Sequence, residues 1–373
     1  MIEKPLLQQT KIAELESLRG LAAVLVVFYH FPKWNSILDI GIINNSYLMV
    51  ELFFVLSGFV IFNAYSEKIY SSKDLMRFQF LRFGRLYPVH LVFLLIFLFI
   101  EIVKAIAAYQ FEVQNFHNPS FGVNSMVAFV EQLFLVQAIG PTGNQLTFNV
   151  PAWSISVEFY TYLLFGVSVL FLKKLKTFMF GVVALISIVM LVTQSTYGFT
   201  DLLRCFAGFF IGCLTAAWIK KISVCVPGYM SSIFFMLTMV FLQLKTSKDF
   251  DVVIYFLTAA LTASLLLSND GVLKRILKSR ILTWLGNKSY SIYMVHSFAL
   301  WISGSVLRRI LKRPEIQLPD GHWVASLTVM ETLFATIIIM VFVAFLGQLT
   351  YSLIEKPMRE KSRQYASNHG PRP

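Results

Sequence analysis

Leu18-Arg19-Gly20-Leu21-Ala22-Ala23-Val24-Leu25-Val26-Val27-Phe28-Tyr29-His30-Phe31 is an apolar run with an arginine near its start and a histidine near its end. Such a run belongs in a bilayer, where an ionisable side chain is costly unless it is paired or faces water, so His30 reads as a functional group. Arg19 and His30 stand eleven residues apart. That is about three helical turns, which puts both side chains on one face with roughly 16 Å of rise between them. The pair marks a path from one membrane surface into the interior. The plainer alternative is that His30 hydrogen-bonds a neighbouring helix and Arg19 anchors the interface.

The rest of the chain has the same character. Of its 373 residues 57% are apolar, 14% are charged and 36 are Phe. With a mean hydropathy of +0.67, that composition excludes an ordinary soluble domain. Apolar runs lie near 17–33, 47–66, 87–108, 152–172, 177–195, 201–219, 229–244, 252–268, 282–304 and 325–353. Read as helices, they make an all-α, polytopic integral membrane bundle of about ten transmembrane helices. The excess of 32 Lys+Arg over 20 Asp+Glu falls mostly in short loops, so it reports orientation rather than a nucleic-acid partner. Ten spans place both termini, the loop 67–86, the cluster Lys173, Lys174 and Lys176, the pair Lys220 and Lys221, and the loop from Lys274 to Arg280 on the cytoplasmic side. Arg308 to Arg313 is left as the misfit.

Residues 1–12 read as a cytoplasmic tail, 13–360 as one membrane domain and 361–373 as a cytoplasmic polar tail. The run from Val123 to Ile139 is broken by Glu131, Gln132 and Gln137. Counting it as a span would turn the lysine cluster outward, so 109–150 reads as an external lid or re-entrant segment, and both forms stay open. Glu3, Glu14 and Glu16 argue against a cleaved signal peptide. Three cysteines are too few for a disulfide framework. No HxxxH, HExxH or CxxC spacing favours a metal.

Arg82 and Arg85 share a helix face at i and i+3, with Arg77 shortly before, and guanidinium forks suit phosphate. With Arg19 they form a basic mouth that suits a diphosphate-bearing donor; the alternative is positive-inside anchoring. Ser154, Glu158 and Thr161 make one polar stripe and Ser289, Tyr293 and His296 another, at a depth similar to His30 and to Glu51 at the outer end of its run. Packing alternatives stand beside each: Glu51 as a snorkelling rim residue, Glu158 paired with a buried tyrosine or arginine, His296 as a satisfied core histidine, Arg204 in a structural pair with Asp201. What remains for chemistry is proton transfer by an imidazole, or covalent catalysis through it.

Six blocks stand in an order that resembles the membrane-bound acyltransferase-3 family: Leu18-Arg19-Gly20 through His30, Leu52 to Phe59, Arg82-Phe83-Gly84-Arg85-Leu86-Tyr87-Pro88, Trp153-Ser154-Ile155-Ser156-Val157-Glu158, Ser289 to His296, and Glu355-Lys356-Pro357-Met358-Arg359. The resemblance covers residues 13 to 360. It implies transfer of an acyl group, usually acetyl from cytoplasmic acetyl-CoA, to a hydroxyl on a glycan or small molecule in the bacterial inner membrane: first O-antigen or another surface polysaccharide, then an exopolysaccharide or lipid-linked precursor, a lipo-oligosaccharide or a small secondary metabolite, with a succinyl or longer acyl donor left open. It links Arg19 and His30 to catalysis, Arg82 and Arg85 to the CoA phosphates, and gives Glu158 an active-site or supporting role. The extracytoplasmic hydrolase-like domain of some relatives is not expected here. On this reading His30 is the general base or an acyl carrier, a carboxylate (Glu158 or Glu51) orients it, and the partners are acyl-CoA, the glycan acceptor and membrane lipid, with a homo-oligomer left open.

A proton-coupled transporter is the rival reading of the buried His and Glu groups. It should show related halves with helices broken at corresponding positions, and none is visible. A glycan-synthesis scaffold without turnover leaves the two polar stripes unexplained.

Overall fold

The computed structural model describes residues 12–111, 119–140, 142–318 and 323–369. Among them the chain is nearly all helical. The helices are α1 (Ala13–Tyr29), α2 (Gly41–Asn44), α3 (Met49–Tyr65), α4 (Ser72–Phe111), α5 (Met126–Leu133), α6 (Ala152–Leu172), α7 (Lys176–Val192), α8 (Thr200–Lys221), α9 (Tyr229–Leu244), α10 (Val253–Leu267), α11 (Val272–Leu277), α12 (Arg280–Asn287), α13 (Ser289–Ser305), α14 (Val329–Thr350) and α15 (Lys356–His369). A short antiparallel hairpin, β1 (Glu315–Gln317) with β2 (Trp323–Ala325), sets Glu315 opposite Ala325.

Six helical stretches among the described residues are long and apolar enough to cross a bilayer. They account for seven of the ten apolar runs, because 152–192 holds both α6 and α7, divided at Lys173 where φ is +43°. The other three runs hold α1, α9 and α13, which are only 17, 16 and 17 residues long. A straight span across ~30 Å needs about 20 residues, so length and composition qualify six stretches as candidate spans and leave these three helices short of that length.

Two expectations are corrected by helix termini. The basic block around Arg82 and Arg85 is not a loop, since α4 begins at Ser72 and runs 40 residues through Pro88. Its start is fixed by Ser71 and Asp74, which exchange backbone-to-side-chain bonds of 3.2 and 3.0 Å as a capping box does. The phenylalanines, leucines and arginines that follow are interrupted before Pro88 by one weak helix former, Gly84. His30, in turn, is not inside its helix. It is the C-cap of α1, because Pro32 cannot continue the ladder and restricts Phe31.

Close helix approach comes from small residues, which let backbones meet where lipid supplies no hydrophobic drive. α3 packs along α8 more extensively than any other pair. A Cβ on Gly58 would fall on the Phe209 carbonyl, and one on Gly212 on the Val55 carbonyl.

Between α4 and α6 the described residues, 119–140 and 142–151, are tied to the bundle. α5 has eight residues, about 12 Å of rise, too short to span. Buried amides tie this segment down: Gln132 Nε2 donates to the Thr147 carbonyl at 2.8 Å, Gln137 Nε2 to the Ala152 carbonyl at 3.2 Å, and Asn149 Nδ2 to the Met294 carbonyl at 3.1 Å. Glu101 of α4 accepts from the Phe121 N–H at 2.9 Å and from Asn124 at 2.8 Å.

In the misfit segment, Arg308 to Arg313, Arg308 lies 3.7 Å from Glu315, and Arg313 pairs with Glu331, itself in the capping box with Thr328 that starts α14.

Candidate functional site

At the end of the bundle where α3 finishes and α4 begins, a cavity of about 420 Å³ is lined by Arg82, Arg85, Arg359, Arg363, Glu16 and Glu355, with Tyr65 and Tyr290 among its walls. That volume is ordinary for a small-molecule site. Arg82 is 9% exposed and donates to the Tyr65 hydroxyl at 3.3 Å, with the rings of Tyr65 and Phe78 beneath its guanidinium. Arg359 reaches Glu355 at 3.5 Å and the Tyr351 hydroxyl at 3.4 Å. Arg85 makes no hydrogen bond or ion pair with any described residue, and the buried Nε atoms of Arg82, Arg85 and Arg359 all lack acceptors. Orphaned guanidinium donors are costly unless an anion supplies the acceptors.

Deeper in, a narrow pocket of about 40 Å³ is lined by Arg19, Ser154, Glu158, Ser289, Tyr290 and Tyr293, with Phe53 and Phe54 beside them. Ser289 and Tyr290 line both spaces, and Glu16 of the cavity lies 3.8 Å from Arg19 of the pocket. The two spaces are therefore consecutive. The Ser154 hydroxyl bonds the Tyr293 hydroxyl at 2.9 Å, so the two polar stripes do meet. Thr161 leaves the stripe, donating to the Val157 carbonyl at 2.7 Å. Glu158 accepts at Oε1 from Ser57 at 2.5 Å and from Tyr162 at 2.6 Å, leaving Oε2 for the pocket.

Beyond Tyr293 the two histidines come together, with ring centroids of His30 and His296 4.8 Å apart. His30 Nδ1 lies 2.9 Å from the Val26 carbonyl, and His296 Nδ1 lies 2.5 Å from the Tyr293 carbonyl. A carbonyl only accepts, so each Nδ1 carries the proton and each Nε2 offers a lone pair. His296 is fully buried with Nε2 unpartnered, whereas His30 is only partly buried.

Neither His30 nor His296 lines the cavity or the pocket, and three further expected residues, Glu51, Arg204 and Arg77, lie elsewhere. No carboxylate orients His30, since the Val26 carbonyl does so. Glu51 is neither an orienting group nor a rim residue: it is 1% exposed, and Arg204 Nε donates to its Oε1 at 2.6 Å. Arg204 also holds Asp201 at 3.1 Å and lies over Trp153 at 4.6 Å, which removes it from the pocket. Arg77 does not line the basic cavity. Arg359 and Arg363 take that place, together with the Ser291–Glu355 bond of 2.6 Å. The i, i+4 arginine spacing was the available signal for that pair; residues past 360 read as a polar tail, yet α15 extends to His369.

Six stretches long and apolar enough to cross a bilayer, with a basic cavity beside a narrow polar pocket, make this a multi-pass membrane protein. The chain belongs to the acyltransferase-3 family, whose profile, described as an acyltransferase domain, matches residues 12–348. It is similar to protein 2 of the picA locus of Rhizobium radiobacter, 33% identical over 150 residues, covering 39% of this chain and 75% of that protein. It is also similar to the acyltransferase MdmB of Streptomyces mycarofaciens, 29% identical over 164 residues, covering 42% of this chain and 38% of that protein. No solved structure matches. The protein is an acyltransferase enzyme of the membrane.

Proposed function

We propose that this acyltransferase moves an acetyl or similarly short acyl group from cytoplasmic acyl-CoA to a hydroxyl of a surface polysaccharide or its lipid-linked precursor, in the bacterial inner membrane. The observation that carries this reading is the adjacency of the two spaces, which share Ser289 and Tyr290 as wall residues. Arg82, Arg85 and Arg359, with orphaned Nε–H groups, suit the phosphates of CoA, and 420 Å³ suits its nucleotide end. The narrow pocket, about 40 Å³, has room for about three water-sized groups, which favours acetyl over a long chain. Bound there, acyl-CoA would supply its thioester as the activated acyl group.

The chain's own residues divide the remaining work. Arg19 is the donor for the carbonyl end, Ser154 and Tyr293, bonded to each other and to the Pro151 carbonyl, shape the wall it lies against, and Glu158 holds Ser57 and Tyr162 in place. His30, the more accessible imidazole, takes the acceptor hydroxyl proton at Nε2 while its oxygen bonds the acyl carbon and the carbon–sulfur bond breaks; the proton then passes to the departing thiolate. His296 packs against His30 and limits its ring orientations.

Inside-out vesicles given labelled acetyl-CoA from outside test the reading. Lumenal glycan label that appears with wild type and disappears with His30→Ala is expected; absence of label with wild type refutes the donor or the acceptor. Rapid quench without acceptor distinguishes base from carrier, because only a carrier accumulates labelled protein.

A further inference from the structure

The four arginines of the basic cavity differ in depth and in what they already hold. Arg82 is buried, bonded to Tyr65 and stacked on aromatic rings. Arg359, 18% exposed, shares its charge with Glu355. Arg85 sits partly buried and Arg363 exposed, and neither has a hydrogen-bond or ion-pair partner among the described residues. Two uncommitted guanidinium groups therefore stand at two levels of one cavity, one inside and one at its opening. A ligand with a single anionic centre would engage only one level. Two levels call for two separated anionic groups on one molecule.

The opening is built to hold its arginine in register. Arg363 follows Arg359 by one helical turn on α15. That helix is seated on α4 by Ser362, which is 8% exposed and occupies the space beside Gly84 where a Cβ would stand, and by Tyr365 against Phe80 at 5.5 Å. The family profile ends at residue 348, before α15 begins.

We propose that Arg363 binds the terminal phosphomonoester of the CoA nucleotide, while Arg85 takes the diphosphate, so that Arg363 separates CoA from its dephosphorylated form. The assignment rests on the acyl-CoA reading above. It follows that α15, rather than the helices that carry the acyl chemistry, reads the outer end of the donor.

Equilibrium binding of CoA and of dephospho-CoA to purified full-length protein, for wild type and Arg363→Gln, tests this. Wild type should prefer CoA about tenfold, and R363Q should weaken CoA about tenfold while leaving dephospho-CoA unchanged. Arg363→Lys should fall between, because it keeps the charge and loses the fork. Equal weakening of both ligands, or of neither, overturns the assignment while leaving the acyl-CoA reading intact. Failure of wild type to bind either ligand overturns both. Arg363 is exposed, so a folded R363Q is expected, and an unchanged melting temperature verifies it.

Discussion

Two arginine clusters stand in this bundle, and they differ in whether their charges are answered. Around Arg204, Glu51 and Asp201 supply carboxylates at 2.6 and 3.1 Å, and Trp153 covers the guanidinium face. Around the basic cavity, Arg82, Arg85, Arg359 and Arg363 face two carboxylates, Glu16 and Glu355, and Glu355 is shared with Ser291. In the first cluster the guanidinium is answered and only Glu51 Oε2 lacks a hydrogen-bond partner; such an ion pair holds a fold but has no spare donor for an anion. A cluster with spare donors is costly in the free protein and gains when an anion arrives. Residue type alone makes the two clusters look alike. Closure separates structure from binding.

The largest effect should come where neither cluster acts. His30→Ala should lower the acyl-transfer rate by about 10²–10⁴-fold, the usual worth of a general base, with CoA affinity unchanged in a binding titration. If CoA binding falls equally, His30 belongs to the donor site instead. Next, Arg204→Ala should cost about 3–5 kcal/mol by leaving Glu51 buried and unpaired, read as a loss of thermal stability in detergent. The triple change Arg204→Met, Glu51→Leu and Asp201→Asn, which also removes the charge Arg204 held at 3.1 Å, should recover most of that loss, and failure to recover would mean that the cluster does more than close its own charges.

Arg85→Gln should do the reverse. It should weaken CoA binding by about 1.5–3 kcal/mol, the range for hydrogen bonds to charged groups, while leaving the free protein at least as stable. A destabilised R85Q would show that this guanidinium has a structural partner and would erase the contrast between the clusters. The smallest effect belongs to Ser154→Ala, about 1 kcal/mol in kcat/KM from one lost hydrogen bond to Tyr293. No change there would move Tyr293 out of the positioning role.

Much of the site was legible because helical periodicity is local. Arg19 and His30 share a face by spacing, and Ser154 with Glu158 and Tyr293 with His296 lie on stripes that periodicity alone draws. The carboxylate roles were not legible. Glu51 and Glu158 have similar sequence settings, yet one faces an arginine on α8 and the other faces Ser57 and Tyr162. Which neighbour a buried carboxylate meets depends on helix packing across 153 positions of chain in the first case, and no short-range pattern carries that. Arg363 was missed for a related reason: a polar helix has no apolar stripe to announce it, and α15 is held by contacts with α4 that only the folded bundle provides.

The sequence by itself determined an apolar, helical, membrane-crossing chain with a histidine and an arginine on one face, because hydropathy and the helical repeat are properties of neighbouring residues. The tertiary structure decided which charges are closed and which are open, that His30 caps its helix beside His296, and that Arg359 and Arg363 complete the basic cavity. Those outcomes depend on which helix faces meet, and the glycines at the α3–α8 seam, where a Cβ would strike backbone, show how closely that meeting is set by contacts distant in sequence.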